Sequence, residues 1–219
     1  MNAEWSQLNK TMQLQLKKKE TFNSGIETLL TLRSSLIEQI TEFRNILSAE
    51  QFSAIPFINA SGYHNKTVAY SLYHVFRIED IVANTLISKA SQIFFSGNYQ
   101  ARMNSPIITT GNELVKHEIA DFSARLDIDE LYNYISDVNK STTHLLKTLA
   151  FSDMKTEMTE QDKENVRSLK VVSEDENAVW LIDYWCGKNI KGLLQMPFSR
   201  HWIMHTEAAL RIANKLTVK

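Results

Sequence analysis

Apolar residues recur every three or four positions along most of the chain, a spacing that places them on one face of an α-helix. The clearest pattern spans residues 21–47, and its apolar positions are Phe22, Ile26, Leu29, Leu30, Leu36, Ile37, Ile40, Phe43 and Leu47. A second strong pattern begins at Thr67 and continues to residue 88. A weaker pattern over residues 4–19 predicts a separate N-terminal helix.

The second half of the chain adds further predicted helices. Thr110 and Glu113 have the spacing of a capping box, which predicts a short helix from this point through about Arg125. Residues 127–149 predict a long helix whose first turn is acidic, as the helix dipole favours. Residues 198–216 predict the last helix.

The chain contains few residues that interrupt helices. Six glycines and three prolines in 219 residues favour long helices over many short strands and turns. No internal repeat, low-complexity tract or linker divides the sequence. We therefore predict one domain over residues 1–219, with an all-α fold in which four principal helices form a bundle and shorter helices are added to it.

The composition of the chain narrows the classes of partner and the cellular compartment that we expect. Lys and Arg number 24 against 25 Asp and Glu, so there is no basic excess to favour duplex nucleic acid as the main partner. No apolar stretch reaches about 18 residues, and no apolar run follows a basic start. The sequence is therefore expected to contain neither a membrane span nor a secretory signal. The single cysteine, Cys186, suits a reducing compartment and predicts a packed side chain more than a reactive thiol. We expect a cytoplasmic protein.

Two histidines near the C-terminus, His201 and His205, are four residues apart. On a helix both imidazoles would lie on one face, one turn apart, and could reach one metal ion. Six histidines placed at random would give such a pair roughly one time in seven, so the spacing alone does not identify a site. His74 is the candidate third ligand, because it lies mid-helix among apolar neighbours; a core histidine bonded to a carbonyl or a tyrosine is the alternative. The other histidines are predicted to be surface or capping residues: His64, His117 and His144.

A lone histidine in the second long helix, followed much later by H-x-x-x-H in the last, resembles the pattern of DinB-like metal-binding four-helix bundles. This family includes bacillithiol transferases and the mycothiol-dependent maleylpyruvate isomerase. The matching segments are LLTLRSSLIEQI, TVAYSLYHVFRIEDIVANTLI and DYWCGKNIKGLLQMPFSRHWIMHTEAALRIANKL. The resemblance implies that His74, His201 and His205 form a three-histidine site, and that residues 92–125 and 154–176 are additions to the family core.

The resemblance also implies an activity. A divalent ion (zinc, nickel or iron) held by three imidazoles would serve an enzyme that transfers a low-molecular-weight thiol to an electrophilic small molecule. The same ligands would also suit a metal-dependent hydrolase, and a non-catalytic, stress-related binding or scaffold protein is the third hypothesis. An enzyme needs its histidines to converge on a reachable cavity. Since ligand imidazoles must be neutral, their ordinary pKa predicts metal release as the pH falls through roughly 6.

Three further residues are candidates for substrate binding. Arg77 follows His74 by one helical turn and could clamp an anionic group; an ion pair with Glu79, Asp80 or another helix is the alternative. Tyr73 and Trp202, together with Trp185, could line a pocket, although aromatic residues in a bundle are often simple core. The Glu79-Asp80 pair itself is predicted to be surface charge. Wide apolar helix faces would also allow a homodimer.

Overall fold

Residues 2–218 are described by the computed structural model of the chain, and their regular structure is helical, with no β-strand. The α-helices are α1 (Ala3–Gln15), α2 (Phe22–Ile46), α3 (Ala49–Phe52), α4 (Val68–Asp80), α5 (Ile93–Ser96), α6 (Tyr99–Arg102), α7 (His117–Arg125), α8 (Ile128–Thr148), α9 (Glu160–Ser168), α10 (Trp180–Cys186), α11 (Ile190–Leu194) and α12 (His201–Thr217). A π-helical segment, Ile81–Ile87, continues α4, and another, Met196–Arg200, leads into α12. Short 3₁₀ turns are Lys19–Thr21, Gly62–His64 and Phe151–Lys155. The predicted all-α class is confirmed.

Four helices, α2, α4, α8 and α12, contact one another in a closed ring, and α1 packs along α2. The apolar stripe predicted on α2 faces this shared core, where Leu29, Leu36 and Phe43 are fully buried. Each such side chain contributes roughly 1.5–3 kcal/mol when it is removed from water. The three- and four-residue spacing therefore identified the inner face of α2. Among the helices that the structure describes, none is long and apolar enough to cross a lipid bilayer.

Helix α4 is the central helix, because every one of its residues is buried. Its charged residues must therefore find partners inside the protein. The prediction that Glu79 and Asp80 are surface charge was wrong: neither side chain is exposed. The error arose because a charged pair at the end of an amphipathic stretch usually faces water, and only the helices packed around α4 remove these carboxylates from it.

Glu79 accepts two hydrogen bonds from the guanidinium of Arg33 on α2, at 2.8 and 2.7 Å. The same guanidinium donates to Asn139 Oδ1 on α8 at 2.8 Å, and its carbon lies 4.1 Å from the ring centroid of Trp202 on α12. This buried ion pair, the Arg33–Glu79 pair, thus contacts all four helices of the ring. A bidentate geometry of this kind fixes direction as well as distance.

Residues 92–125 attach to α4 through Asp80. Its carboxylate accepts hydrogen bonds from the backbone N–H groups of Ile93 and Phe94, at 2.9 and 2.8 Å, and so caps the start of α5. The short helix predicted through about Arg125 is present as α7, but the predicted start at Thr110 was wrong, since α7 begins only at His117. Gly111 has a φ of +77°, a left-handed conformation that interrupts a helix at the point where the capping box predicted one.

Candidate metal centre

Three buried histidines converge where α12 packs against α4. His201 and His205 lie one turn apart on α12, and His74 lies on the facing side of α4. Their candidate ligand nitrogens are all within 4.8 Å of one another, and His201 Nε2 lies 3.2 Å from His74 Nε2. Ligand nitrogens around a tetrahedral zinc ion are separated by about 3.3 Å, given Zn–N bonds of about 2.05 Å. The three side chains that the sequence proposed are therefore brought together.

The ring of His74 is held in one orientation and one tautomer. Its Nδ1 lies 2.9 Å from the carbonyl oxygen of Thr110, and because a carbonyl only accepts, Nδ1 carries the proton. Nε2 then presents a lone pair toward the other two histidines, the arrangement that orients ligand imidazoles in metal sites. The ring of Tyr70 stacks on that of His74, with the ring centroids 5.5 Å apart and the planes tilted by only 10°.

Each of the other two imidazoles has one ring nitrogen without a hydrogen bond to the residues that the structure describes. These atoms are the buried Nδ1 of His201 and Nδ1 of His205. Leaving such a nitrogen unpaired costs about 1–3 kcal/mol. A metal ion can take one nitrogen of each imidazole, and the other then needs a hydrogen-bond partner, so these rings are not satisfied by packing alone. Nitrogen donors of this kind suit zinc, nickel or iron, and the residues present therefore fit a divalent ion.

Burial keeps all three histidines neutral. It lowers the pKa of His74 to about 4, with the carbonyl of Thr110 opposing and the Lys66 ammonium adding to the effect. Burial also lowers the pKa of His201 and of His205 well below the ordinary value, reinforced by the neighbouring imidazoles. Neutral imidazole is the form that coordinates metal. These lowered pKa values move the expected release of a metal to a pH below the value of roughly 6 that an exposed histidine would give.

The same shifts predict how the metal-free protein responds to acid. Because the folded pKa of His74 lies below its ordinary value of 6.5, the unfolded chain binds more protons between pH 6.5 and 4, and folding stability is lost as the pH falls through this window. His74 alone should remove of the order of 3 kcal/mol from the free energy of unfolding. Urea titrations of chelator-treated protein at several pH values measure this. Other groups also titrate here, so His74→Gln is the control, and an unchanged pH slope in that variant would contradict the assignment.

A cavity of about 240 Å³ opens beside the three histidines, all of which line it. Four aromatic side chains form much of its wall: Tyr63, Trp180, Tyr184 and Trp185. The remaining lining residues are Ile78, Leu181, Met196, Pro197 and Asn112. Trp185 was expected at a pocket and lies there. The others were missed, although the density of aromatic residues over 180–185, shortly before the histidine pair, was a usable signal.

The three residues predicted to bind substrate do not line this cavity. Tyr73 is fully buried and its hydroxyl donates to the carbonyls of Ile107 and Thr109. Trp202 is fully buried beneath the guanidinium of Arg33. Their role toward a substrate stays a prediction, and their contacts are those of core residues.

Arg77 likewise makes its contacts within the protein core. It pairs with Asp80 at 3.4 Å, and donates to Gln92 Oε1 at 3.0 Å and to the carbonyl of Ile108 at 2.7 Å. The ion-pair alternative for Arg77 is therefore the one that the structure contains. A guanidinium with these bonds joins α4 to residues 92–108 and has little left to offer an anion in the cavity.

Gly111 packs closely against Tyr70, the ring that stacks on His74. A Cβ at this position would lie 3.0 Å from Cε2 of Tyr70, the ring that stacks on His74, and the φ of +77° disfavours any other residue. We expect Gly111→Ala to displace Tyr70 and weaken metal affinity by about tenfold or more, as loss of supporting contacts does in metal sites. Gly62→Ala is the matched control, because Gly62 has a φ of +74° but an added Cβ would meet nothing within 4 Å. Competition with a chromophoric chelator measures both, and equal affinities would exclude a role for the Tyr70 contact.

Comparison with known proteins adds no identity to this geometry. No protein-family model matches the chain, and no curated protein matches it in sequence.

Proposed function

We propose that this chain is a metal-dependent enzyme in which His74, His201 and His205 bind a divalent ion, namely zinc, nickel or iron. The observation that supports the proposal best is the convergence of three buried, neutral imidazoles on a reachable cavity. A scaffold protein has no need of this arrangement, and packing alone would be served better by apolar residues than by unpaired imidazole nitrogens.

We also propose that the fold is a DinB-like four-helix bundle. In support of this, the lone histidine lies on α4 and the H-x-x-x-H pair opens α12, and these helices belong to a ring of four with α2 and α8. Residues 92–125 and 154–176 would then be additions to a common core. The single domain and the cytoplasmic location expected from the sequence belong to the same proposal.

The reaction we propose is transfer of a low-molecular-weight thiol to an electrophilic small molecule. A divalent ion, when bound, supplies Lewis acidity that favours deprotonation of a coordinated thiol. The chain holds the three neutral nitrogen donors, and the hydrogen bond from His74 Nδ1 to the Thr110 carbonyl keeps Nε2 directed at the centre. The aromatic and aliphatic walls offer an apolar surface to the electrophile beside the three nitrogen donors.

A thiol-transfer assay tests this. Metal-loaded protein is mixed with 1-chloro-2,4-dinitrobenzene and each of several thiols. Formation of the dinitrophenyl thioether, with loss of chloride, is followed by its absorbance. We expect transfer with at least one thiol and a loss of at least about a hundredfold in His201→Ala/His205→Ala. Hydrolysis of an aryl ester without thiol transfer would replace the transferase proposal by the hydrolase. Bound metal with neither activity would favour the scaffold protein.

A further inference from the structure

The cavity beside the histidines is lined without formal charge. In the part of the chain that the structure describes, its lining includes no Lys, Arg, Asp or Glu side chain. The nearby Lys188 ammonium lies 4.1 Å from the ring centroid of Tyr184 but does not itself line the cavity. Lys66 and Arg200 act electrostatically on the lining residues His205 and Tyr63, but they too lie outside the lining. An anionic ligand body among these walls would therefore lose its hydration without direct contact to a cation, which is costly.

The volume sets the size of the ligand. An engineered apolar cavity of about 150 Å³ binds benzene, and this one measures about 240 Å³. It therefore has room for one aromatic ring with substituents, or for two fused rings. A longer or branched metabolite would have to extend out of the opening.

The walls favour a planar ring. Trp180 is 49 % exposed, although its indole N–H is already satisfied by the carbonyl of Asn177 at 2.9 Å and its ring contacts Tyr184 edge to face at 5.6 Å. Across the cavity lining, Tyr63 meets His205 edge to face at 4.8 Å. Rings arranged in this way attract a further aromatic ring at centroid distances of about 4.5–7 Å. A half-exposed tryptophan would gain burial when the cavity is filled.

We propose that the cavity binds a neutral, mainly apolar aromatic molecule of one or two rings. Its identification as the electrophilic substrate rests on the proposed function, whereas the binding itself requires no metal. This specificity differs from that expected of an arginine clamp, because Arg77 is bound within the core and no Lys or Arg among residues 2–218 lines the cavity.

Calorimetric titration of the chelator-treated full-length chain tests the inference. The probes are nitrobenzene and its anionic counterpart 4-nitrobenzoate, which share ring and nitro group. We expect nitrobenzene to bind with a dissociation constant below about 1 mM and 4-nitrobenzoate at least about tenfold more weakly. Equal binding of the two, or no binding of nitrobenzene, would overturn the proposal.

A pair of neighbouring variants locates the binding. Trp180→Ala should weaken nitrobenzene binding about fivefold or more, while Val179→Ala should leave it unchanged, since Val179 is 46 % exposed but does not line the cavity. Both residues are exposed enough for the fold to tolerate the change, which circular dichroism checks; Tyr63→Ala is the substitute if Trp180→Ala does not fold. Unchanged affinity in a folded wall variant would place the ligand elsewhere.

The outcomes separate this inference from the metal proposal. Nitrobenzene binding in a chain that takes up no metal would sustain the cavity assignment and refute the metal-dependent enzyme. Metal uptake in a chain that does not bind nitrobenzene would refute the cavity assignment and leave the metal site in place, with its activity still decided by the thiol-transfer assay.

Discussion

Replacing His74 with alanine is expected to abolish high-affinity metal binding as completely as replacing His205 does. His74 Nε2 lies 3.2 Å from His201 Nε2, and its Nδ1 is already engaged by Thr110, so the imidazole is positioned before any ion arrives. Two ligands from one helix cannot complete a site that needs three. We expect metal content to fall from about one equivalent to less than about 0.1, at least a hundredfold loss of affinity.

Elemental analysis of untagged protein purified without chelator measures this content. His144→Ala is the matched control, because His144 is exposed on α8 and does not belong to the three-histidine group. Both variants should retain their helical circular dichroism. A His74→Ala protein that keeps a full equivalent of metal would remove His74 from the site and leave the histidine pair on α12 to be explained separately.

Replacing Glu79 with glutamine is expected to be the most destabilising change outside the metal centre. The Arg33 guanidinium is 2 % exposed, and Glu79 supplies its only carboxylate partner among the residues described. Removing the negative charge leaves an uncompensated buried cation in contact with α2, α4, α8 and α12, which costs about 3–5 kcal/mol. Urea denaturation of the metal-free protein measures the loss as a lower midpoint at an unchanged slope.

Two comparisons make this test specific. Asp129→Asn removes an exposed pair with Arg44, whose side chains are 51 % and 75 % exposed, and should change the free energy of unfolding by less than about 1 kcal/mol. Arg33→Met/Glu79→Leu removes both buried charges, and should be more stable than Glu79→Gln because no lone charge is left. A Glu79→Gln protein as stable as the parent would show that water or Asn139 already compensates Arg33.

Much of the candidate site could be predicted from the sequence, because the positions of its histidines depend on local helix geometry. The four-residue spacing of His201 and His205 requires only that α12 be a helix. The position of His74 within an apolar helix then gave it a buried environment, and the family resemblance joined the two. The companion residues were less accessible. Arg77 lies one turn from His74, as predicted, but sequence spacing does not reveal that Asp80 and the Ile108 carbonyl bind it first.

The walls of the cavity come from segments far apart in the chain. Tyr63 belongs to the Gly62–His64 turn and Asn112 to the loop before α7, while the tryptophans belong to α10. Neither Tyr63 nor Asn112 lies in a periodic pattern that would have distinguished it. The late start of α7 has a related cause: the Thr110 carbonyl accepts from His74, and Gly111 turns the chain there with a positive φ.

The sequence by itself determined the helical class and the inner face of α2, because each helix repeats its own side-chain pattern every few residues whatever surrounds it. The three histidines worth testing came from the four-residue spacing on α12, the apolar neighbours of His74 and the family resemblance that joined them. The tertiary structure alone decided that Glu79 and Asp80 are buried, that Arg77 serves the core, and that aromatic residues of α10 face the histidines. Those outcomes depend on which helices enclose a residue, and packing between distant segments leaves no local signature in the chain.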